Sequence, residues 1–125
     1  MAELKRYFVK YIRDASKARY PKGSECRICG TDEALEFHHY STISVLANTW
    51  VRARKLSIDT AEDAVQYRDE FIAEHQYELY EDAVTLCKEH HAGLHRIYGK
   101  NPRLGTAAKQ ARWVEKQRIN NGLVD

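Results

Sequence analysis

All three cysteines and five of the six histidines of this 125-residue chain fall into two short clusters. The first is Cys26-Arg27-Ile28-Cys29 followed by His38-His39; the second is Cys87-Lys88-Glu89-His90-His91 followed by His95. A Cys-x-x-Cys turn sets two thiolates about 4 Å apart on the rim of one bend, and a Cys-x-x-His turn brings two more donors. Cys26, Cys29, Cys87 and His90 therefore make the corners of a closed, structural zinc site. With all four corners taken by protein, no position is open to substrate, and the ion would staple together two segments more than fifty residues apart.

His91 and His95 lie four apart, on one face of a helix and one turn from each other, the spacing at which two imidazoles grip one ion. His38 is the natural third ligand. Three protein ligands leave positions for water and phosphate oxygens, as in a catalytic rather than a structural site. His39 is then free to act as a base, because an imidazole titrates near neutral pH and can take a proton from a water attacking a phosphodiester. His75 stands apart and reads as an ordinary helix residue.

These side chains need elements to position them. Leu4, Tyr7, Phe8, Tyr11, Ile12, Ala15 and Ala18 recur at helical spacing and predict a first amphipathic helix of about five turns, ended by Pro21 and Gly23. Residues 34–40, with Leu35 and Phe37 alternating against Glu36, predict a short strand that delivers His38 and His39. Residues 45–55 read as helical, with Arg52, Arg54 and Lys55 clustered behind Trp50. Thr60 followed by Asp63 marks the N-cap of a long acidic helix over 61–77. A second strand over 83–86 leads into the second donor cluster, a short helix over 90–98 closes at Gly99, and Thr106 caps a last helix that ends near Gly122.

Composition limits the function classes. With 43% apolar and 30% charged residues the chain is an ordinary globular sequence of about one domain's length. The first residues are interrupted by charge every few positions, so neither a signal peptide nor a spanning helix is read there, and a cytoplasmic protein without membrane association is expected. The net charge of +2 conceals three blocks. Residues 1–22 carry seven basic side chains against Glu3 and Asp14, and residues 96–118 carry seven against Glu115. Residues 59–89 hold ten acids against Arg68 and Lys88. A polyanion would meet the two ends of the chain rather than its middle.

The chain resembles the HNH endonucleases, the ββα-metal nucleases, in Cys26-Arg27-Ile28-Cys29-Gly30, in Leu35-Glu36-Phe37-His38-His39, and in the run Asp82 to His91 followed by His95. The resemblance covers roughly residues 25–98. By position it implies His38, His91 and His95 as ligands of a catalytic ion and His39 as the general base. Asp82 stands where the family usually has Asn, whose amide orders the loop that holds the base; a carboxylate accepts hydrogen bonds but does not donate them. His90 replaces the usual fourth knuckle cysteine, a swap that zinc tolerates. Some forty residues are inserted between His39 and Asp82. Compact HNH proteins of this kind resemble phage and mobile-element nucleases.

The expectation is an α+β protein: a ββα-metal core (25–40 and 82–98) with a zinc knuckle, decorated by a basic N-terminal helix (1–22), a helical insertion (41–81) and a basic C-terminal helix (102–122), all one nuclease domain. It would hydrolyse DNA with one divalent ion, Mg2+, Mn2+, Ni2+ or Zn2+, since imidazole ligands accept borderline metals. Arg52, Arg54, Lys55, Arg96, Lys100 and Arg103 are candidate phosphate contacts, which give affinity rather than sequence choice. The competing expectation is a zinc-stabilised nucleic-acid-binding module without catalysis. DNA is the expected partner, and a homodimer is compatible with the sequence.

Overall fold

A computed structural model describes residues 2–123, with side chains described from Tyr7 onward. It is a mixed α+β structure with one two-stranded sheet. In chain order the elements are α1 (Ala2–Ser16), β1 (Leu35–His39), α2 (Ile43–Ala53), α3 (Ala61–Glu74), α4 (Gln76–Tyr80), β2 (Ala83–Cys87), α5 (Lys88–Tyr98) and α6 (Ala107–Asn120), with 3-10 turns at Lys17–Arg19 and Leu104–Thr106. Among the described residues, no helix is long and apolar enough to cross a membrane.

The first helix is shorter than its apolar spacing predicts and its buried stripe differs. Phe8, Ile12 and Ser16, four apart, face the core, whereas Ala15 and Ala18 are exposed; the side chain of Leu4 lies outside the described set. A serine can replace an apolar residue here because its Oγ donates to the Ile12 carbonyl at 2.7 Å and meets the Tyr20 hydroxyl at 3.0 Å. Beyond Ser16 the chain tightens into the 3-10 turn, since Pro21 forces Tyr20 to be extended (φ −64°, ψ 127°).

The acidic helix starts as the sequence predicts, with a capping box: Thr60 accepts from the Asp63 backbone N–H, and the Asp63 carboxylate reaches back to the Thr60 N–H. It does not run on to residue 77. His75, expected to be an ordinary helix residue, is the break. Its Nδ1 takes the Phe71 carbonyl at 2.7 Å, the acceptor its own backbone N–H would use in a continuous helix, and that N–H turns to Ile72 at 3.3 Å instead. The ring stacks on Phe71 with centroids 4.0 Å apart. The chain then restarts as α4.

Strands β1 and β2 pair antiparallel, Leu35 opposite Cys87 and His39 opposite Ala83. Alternation along β1 sends Glu36 and His38 to one face and Phe37 and His39 to the other. Buried apolar residues form two clusters. One cluster joins Phe8, Ile12, Trp50, Phe71 and Leu79, so the insertion packs against α1. The other joins Ile28, Tyr40, Leu86, Leu94 and Val114, seating α5 and α6 beside the cysteines.

Candidate active site

The four cysteine-cluster ligands converge. Cys29 Sγ lies 4.0 Å from Cys87 Sγ, and His90 Nδ1 lies 3.2 Å from Cys87 Sγ and 3.8 Å from Cys26 Sγ. A tetrahedral ion with bonds of about 2.3 Å to sulfur spaces its donors about 3.8 Å apart, so the set fits such an ion. The knuckle is held by local backbone bonds, Gly30 N–H to Cys26 O at 2.8 Å and Arg27 N–H to Thr85 O at 3.0 Å, the latter docking it onto β2. Cys87 also caps α5 by accepting the His90 N–H on sulfur, at 3.5 Å. Helix α5 begins at Lys88, two residues ahead of the sequence expectation. Burial pushes the Cys29 thiol up to about 11. At Cys26 burial is outweighed by the backbone N–H groups of Cys29, Cys87 and Ile28, which bring it down to about 7.

His38, His91 and His95 form a second convergent group. His91 Nε2 is 3.1 Å from His38 Nδ1 and 3.0 Å from His95 Nε2. The outward nitrogen of each ring already has an acceptor: Gln110 Oε1 for His38 Nε2 at 2.8 Å, Glu36 Oε1 for His91 Nδ1 at 2.7 Å, and the Gly99 carbonyl for His95 Nδ1 at 2.7 Å. A neutral imidazole has one N–H. Spent on these outer acceptors, it leaves three lone pairs facing one another, an arrangement that a cation resolves and that orients the rings for one. Donors about 2.1 Å from an ion at octahedral angles would stand about 3.0 Å apart, close to the spacing seen. Burial, with the neighbouring imidazoles, drives His38 down to about 4 and keeps it neutral.

His39 faces the opposite side of the strand. Its Nε2–H donates to the Leu79 carbonyl at 3.0 Å, so Nδ1 carries the lone pair. That carbonyl is available because α4 ends at Tyr80, so no helix N–H four residues on takes it. Burial first, then the Arg13 guanidinium, lowers His39 to about 4. Tyr20 contacts it edge-on at 4.7 Å and stacks on Phe37 at 4.8 Å. Two adjoining clefts of about 480 and 210 Å³ share His39 in their walls.

The Asp82 carboxylate meets the Ser41 hydroxyl at 3.4 Å, and the Asp82 backbone carbonyl accepts the Tyr40 N–H at 3.2 Å. Burial raises its pKa. It acts on the residues just after His39, while His39 itself donates to the Leu79 carbonyl. Of the six cations chosen from sequence, Lys100 lines the smaller cleft with His38, His39 and His95. Arg54 is held by Glu74 at 2.6 Å and lies over the Trp50 ring, and Arg52 borders a separate cleft with Phe8 and Val51. Lys55, Arg96 and Arg103 are exposed.

Sequence reasoning missed Gln110, Glu36, the Gly99 and Leu79 carbonyls, and the individual importance of Arg13. Gln110 did carry a signal. It is a polar residue on the apolar face of α6, between Ala107 and Val114, and it is fully buried. Its amide is fully engaged, Nε2 donating to Tyr40 O at 3.1 Å and Thr106 Oγ1 at 3.0 Å. Thr106 precedes α6 as expected, but its side chain serves Gln110 and the Arg103 carbonyl rather than a helix N–H. Gly99 closes α5 with φ 88°, a conformation open to glycine, which aims its carbonyl back at His95.

Two clusters that could hold metal ions lie on the knuckle, β1, β2 and α5, and His39 stands in a cleft that Arg13, Lys17, Lys22 and Lys100 border. Residues 1–123 match the phage T5 nicking endonucleases, and the chain belongs to this nicking endonuclease family. It is a family of DNA endonucleases, so DNA is the substrate. No solved structure matches the chain.

Proposed function

We propose that the protein is an HNH-type, metal-dependent endonuclease that cleaves phosphodiester bonds of DNA, with residues 1–125 working as one nuclease domain in the cytoplasm. The observation that carries this reading is the set of three imidazole nitrogens facing one another with every outward nitrogen already bonded. The run β1, β2, α5, with the ligands on β1 and α5, supports a ββα-metal core. A binding module would account for the cysteine cluster alone and leaves the second cluster without a purpose.

In this scheme Cys26, Cys29, Cys87 and His90 would hold a zinc ion, which would fix the knuckle to β2 and α5. His38, His91 and His95 hold the catalytic ion, for which Mg2+, Mn2+, Ni2+ and Zn2+ are the candidates; when bound it would offset the negative charge that gathers on the phosphate and the departing oxygen. His39 Nδ1 accepts a proton from water as the water oxygen bonds to phosphorus and the bond to a bridging oxygen breaks. The donation to Leu79 O keeps His39 in the tautomer this requires. Asp82 holds the turn after the base through Ser41 and Tyr40. Lys100 contacts phosphate at the cleft, and Arg52, Arg54, Lys55, Arg96 and Arg103 contact the backbone further away.

The test is plasmid cleavage by the purified protein across magnesium, manganese, nickel and zinc, beside a His39→Ala variant whose zinc content and fold are intact. Metal-dependent cutting that disappears in the variant supports the scheme. A variant that cuts as well as the wild type overturns the role of His39, and a wild type that binds DNA yet leaves it whole under every metal returns the binding module to first place.

A further inference from the structure

The two clefts beside His39 are one path. The larger is lined by Lys17, Lys22 and Tyr20, the smaller by Lys100 and His95, and Arg13, Phe37, His39 and Ile43 belong to both. The base therefore stands at the junction, with cations from α1 and the turn after it on one side and a cation from the segment after α5 on the other. Among the described residues Asp14 is the one acid in these walls, and it is engaged by Lys10 at 2.9 Å. Phe37 and Tyr20 add a stacked aromatic wall on the lysine side.

We propose that this groove is the track for the cut strand: a single DNA strand lies along it, with the scissile phosphate between Arg13 and His39, phosphates on one side at Lys17 and Lys22, and a phosphate on the other side at Lys100. This deepens the nuclease reading and rests on it for the position of the scissile phosphate. A single groove past His39 presents one backbone to it at each engagement. Backbone contacts of this kind give affinity and register but carry no sequence information. Tyr20 and Phe37 offer π-faces to a base that leaves the stack beside the nick.

The experiment has two arms. In chelator, so that nothing is cut, the anisotropy of fluorescein-labelled dT20 and of a mixed-sequence duplex is followed through a sodium chloride series. The probes are titrated with wild type, Lys17→Gln/Lys22→Gln, and Arg68→Gln as an outside control. The groove variant is expected to bind dT20 roughly tenfold more weakly, with a log K against log salt slope flatter by about 1.4, two phosphates' worth on a single strand. A slope equal to that of wild type, or a loss matched by Arg68→Gln, overturns the track. In the second arm, single methylphosphonate linkages are placed around the nick mapped on plasmid DNA. They should slow wild-type nicking on the cut strand only, with the penalty on one side gone in Lys17→Gln/Lys22→Gln and on the other side gone in Lys100→Gln. Equal penalties on both strands, or penalties unchanged in the variants, overturn it. If wild type cuts nothing, the nuclease scheme fails and the salt slopes still decide whether the groove holds a strand.

Discussion

Gln110, on the C-terminal helix, accepts the His38 Nε2 proton at 2.8 Å, seventy-two residues away in the chain. The bond fixes the ring so that Nδ1 faces His91. Acceptors of this kind behind metal-binding imidazoles change metal affinity by about 10–100-fold when removed. Gln110→Ala should therefore raise the metal concentration needed for half-maximal cleavage by about that factor. The cysteine-bound ion should remain in place. Leaving the Tyr40 carbonyl and the His38 N–H without partners should also cost about 1–3 kcal/mol of stability. Metal titration of cleavage and urea unfolding check the two halves; an unchanged metal midpoint would remove Gln110 from the site.

His75 touches neither donor cluster, yet its backbone carbonyl takes the Leu79 N–H at 2.9 Å, at the start of the short helix whose end presents the Leu79 carbonyl to His39. His75→Ala frees the Phe71 carbonyl for the backbone and lets α3 and α4 approach one continuous helix, which draws Leu79 away from His39. Turnover should fall by about ten- to a hundredfold, at or below the lower end of the roughly 10²–10⁴-fold that general-base catalysis supplies, while metal stoichiometry and the metal midpoint stay as in wild type. Single-turnover rates and metal analysis separate these. A variant with normal rates would mean that another group orients the base.

Much of this site was legible in the sequence because spacing encodes it: Cys-x-x-Cys, Cys-x-x-His and the i, i+4 histidine pair depend only on local geometry. The strand carrying His38-His39 and the Thr60–Asp63 capping box were likewise local. What was hidden is what needs tertiary contact. The Gln110 amide reaches His38 only once α6 packs on the sheet, and the Leu79 carbonyl is a backbone atom that no residue type announces. The break at His75 was missed because a side chain captured a backbone acceptor inside an otherwise helical pattern. Lys100 and Arg54 looked equivalent in sequence, but folding places one in the cleft and pairs the other with Glu74.

The two ions should leave in separate steps. The histidine group has three protein donors and opens on a cleft, whereas Cys26 and Cys87 are buried and a structural zinc site contributes about 10–16 kcal/mol of folding free energy. Brief treatment with EDTA should abolish cleavage with no change in circular dichroism, and adding back Mn2+ or Ni2+ should restore it. Stripping the thiolate-bound ion should unfold the chain. Cys87→Ala should fail at both levels, since Cys87 is a donor and also the cap of α5. Release followed with a colorimetric chelator alongside circular dichroism checks the order; a single phase of release that coincides with unfolding would merge the two sites into one.

Acid should destabilise the protein through His38 and His39 once the histidine-bound ion is removed. Burial holds both near 4 in the folded chain, against an ordinary value of 6.5. Between those values the unfolded chain binds protons that the folded chain refuses, so stability rises with pH across the window. The contribution is complete above 6.5 and is lost as pH falls toward 4. A shift of this size corresponds to roughly 3 kcal/mol for each imidazole over the full window. Urea midpoints between pH 7.5 and 5.5, with the cysteine-bound ion retained and verified by metal analysis, should fall steadily for wild type. A His38→Gln/His39→Gln variant, which has no imidazole to protonate at either position, should show a much flatter profile. Parallel profiles in the two proteins would place the acid sensitivity outside His38 and His39.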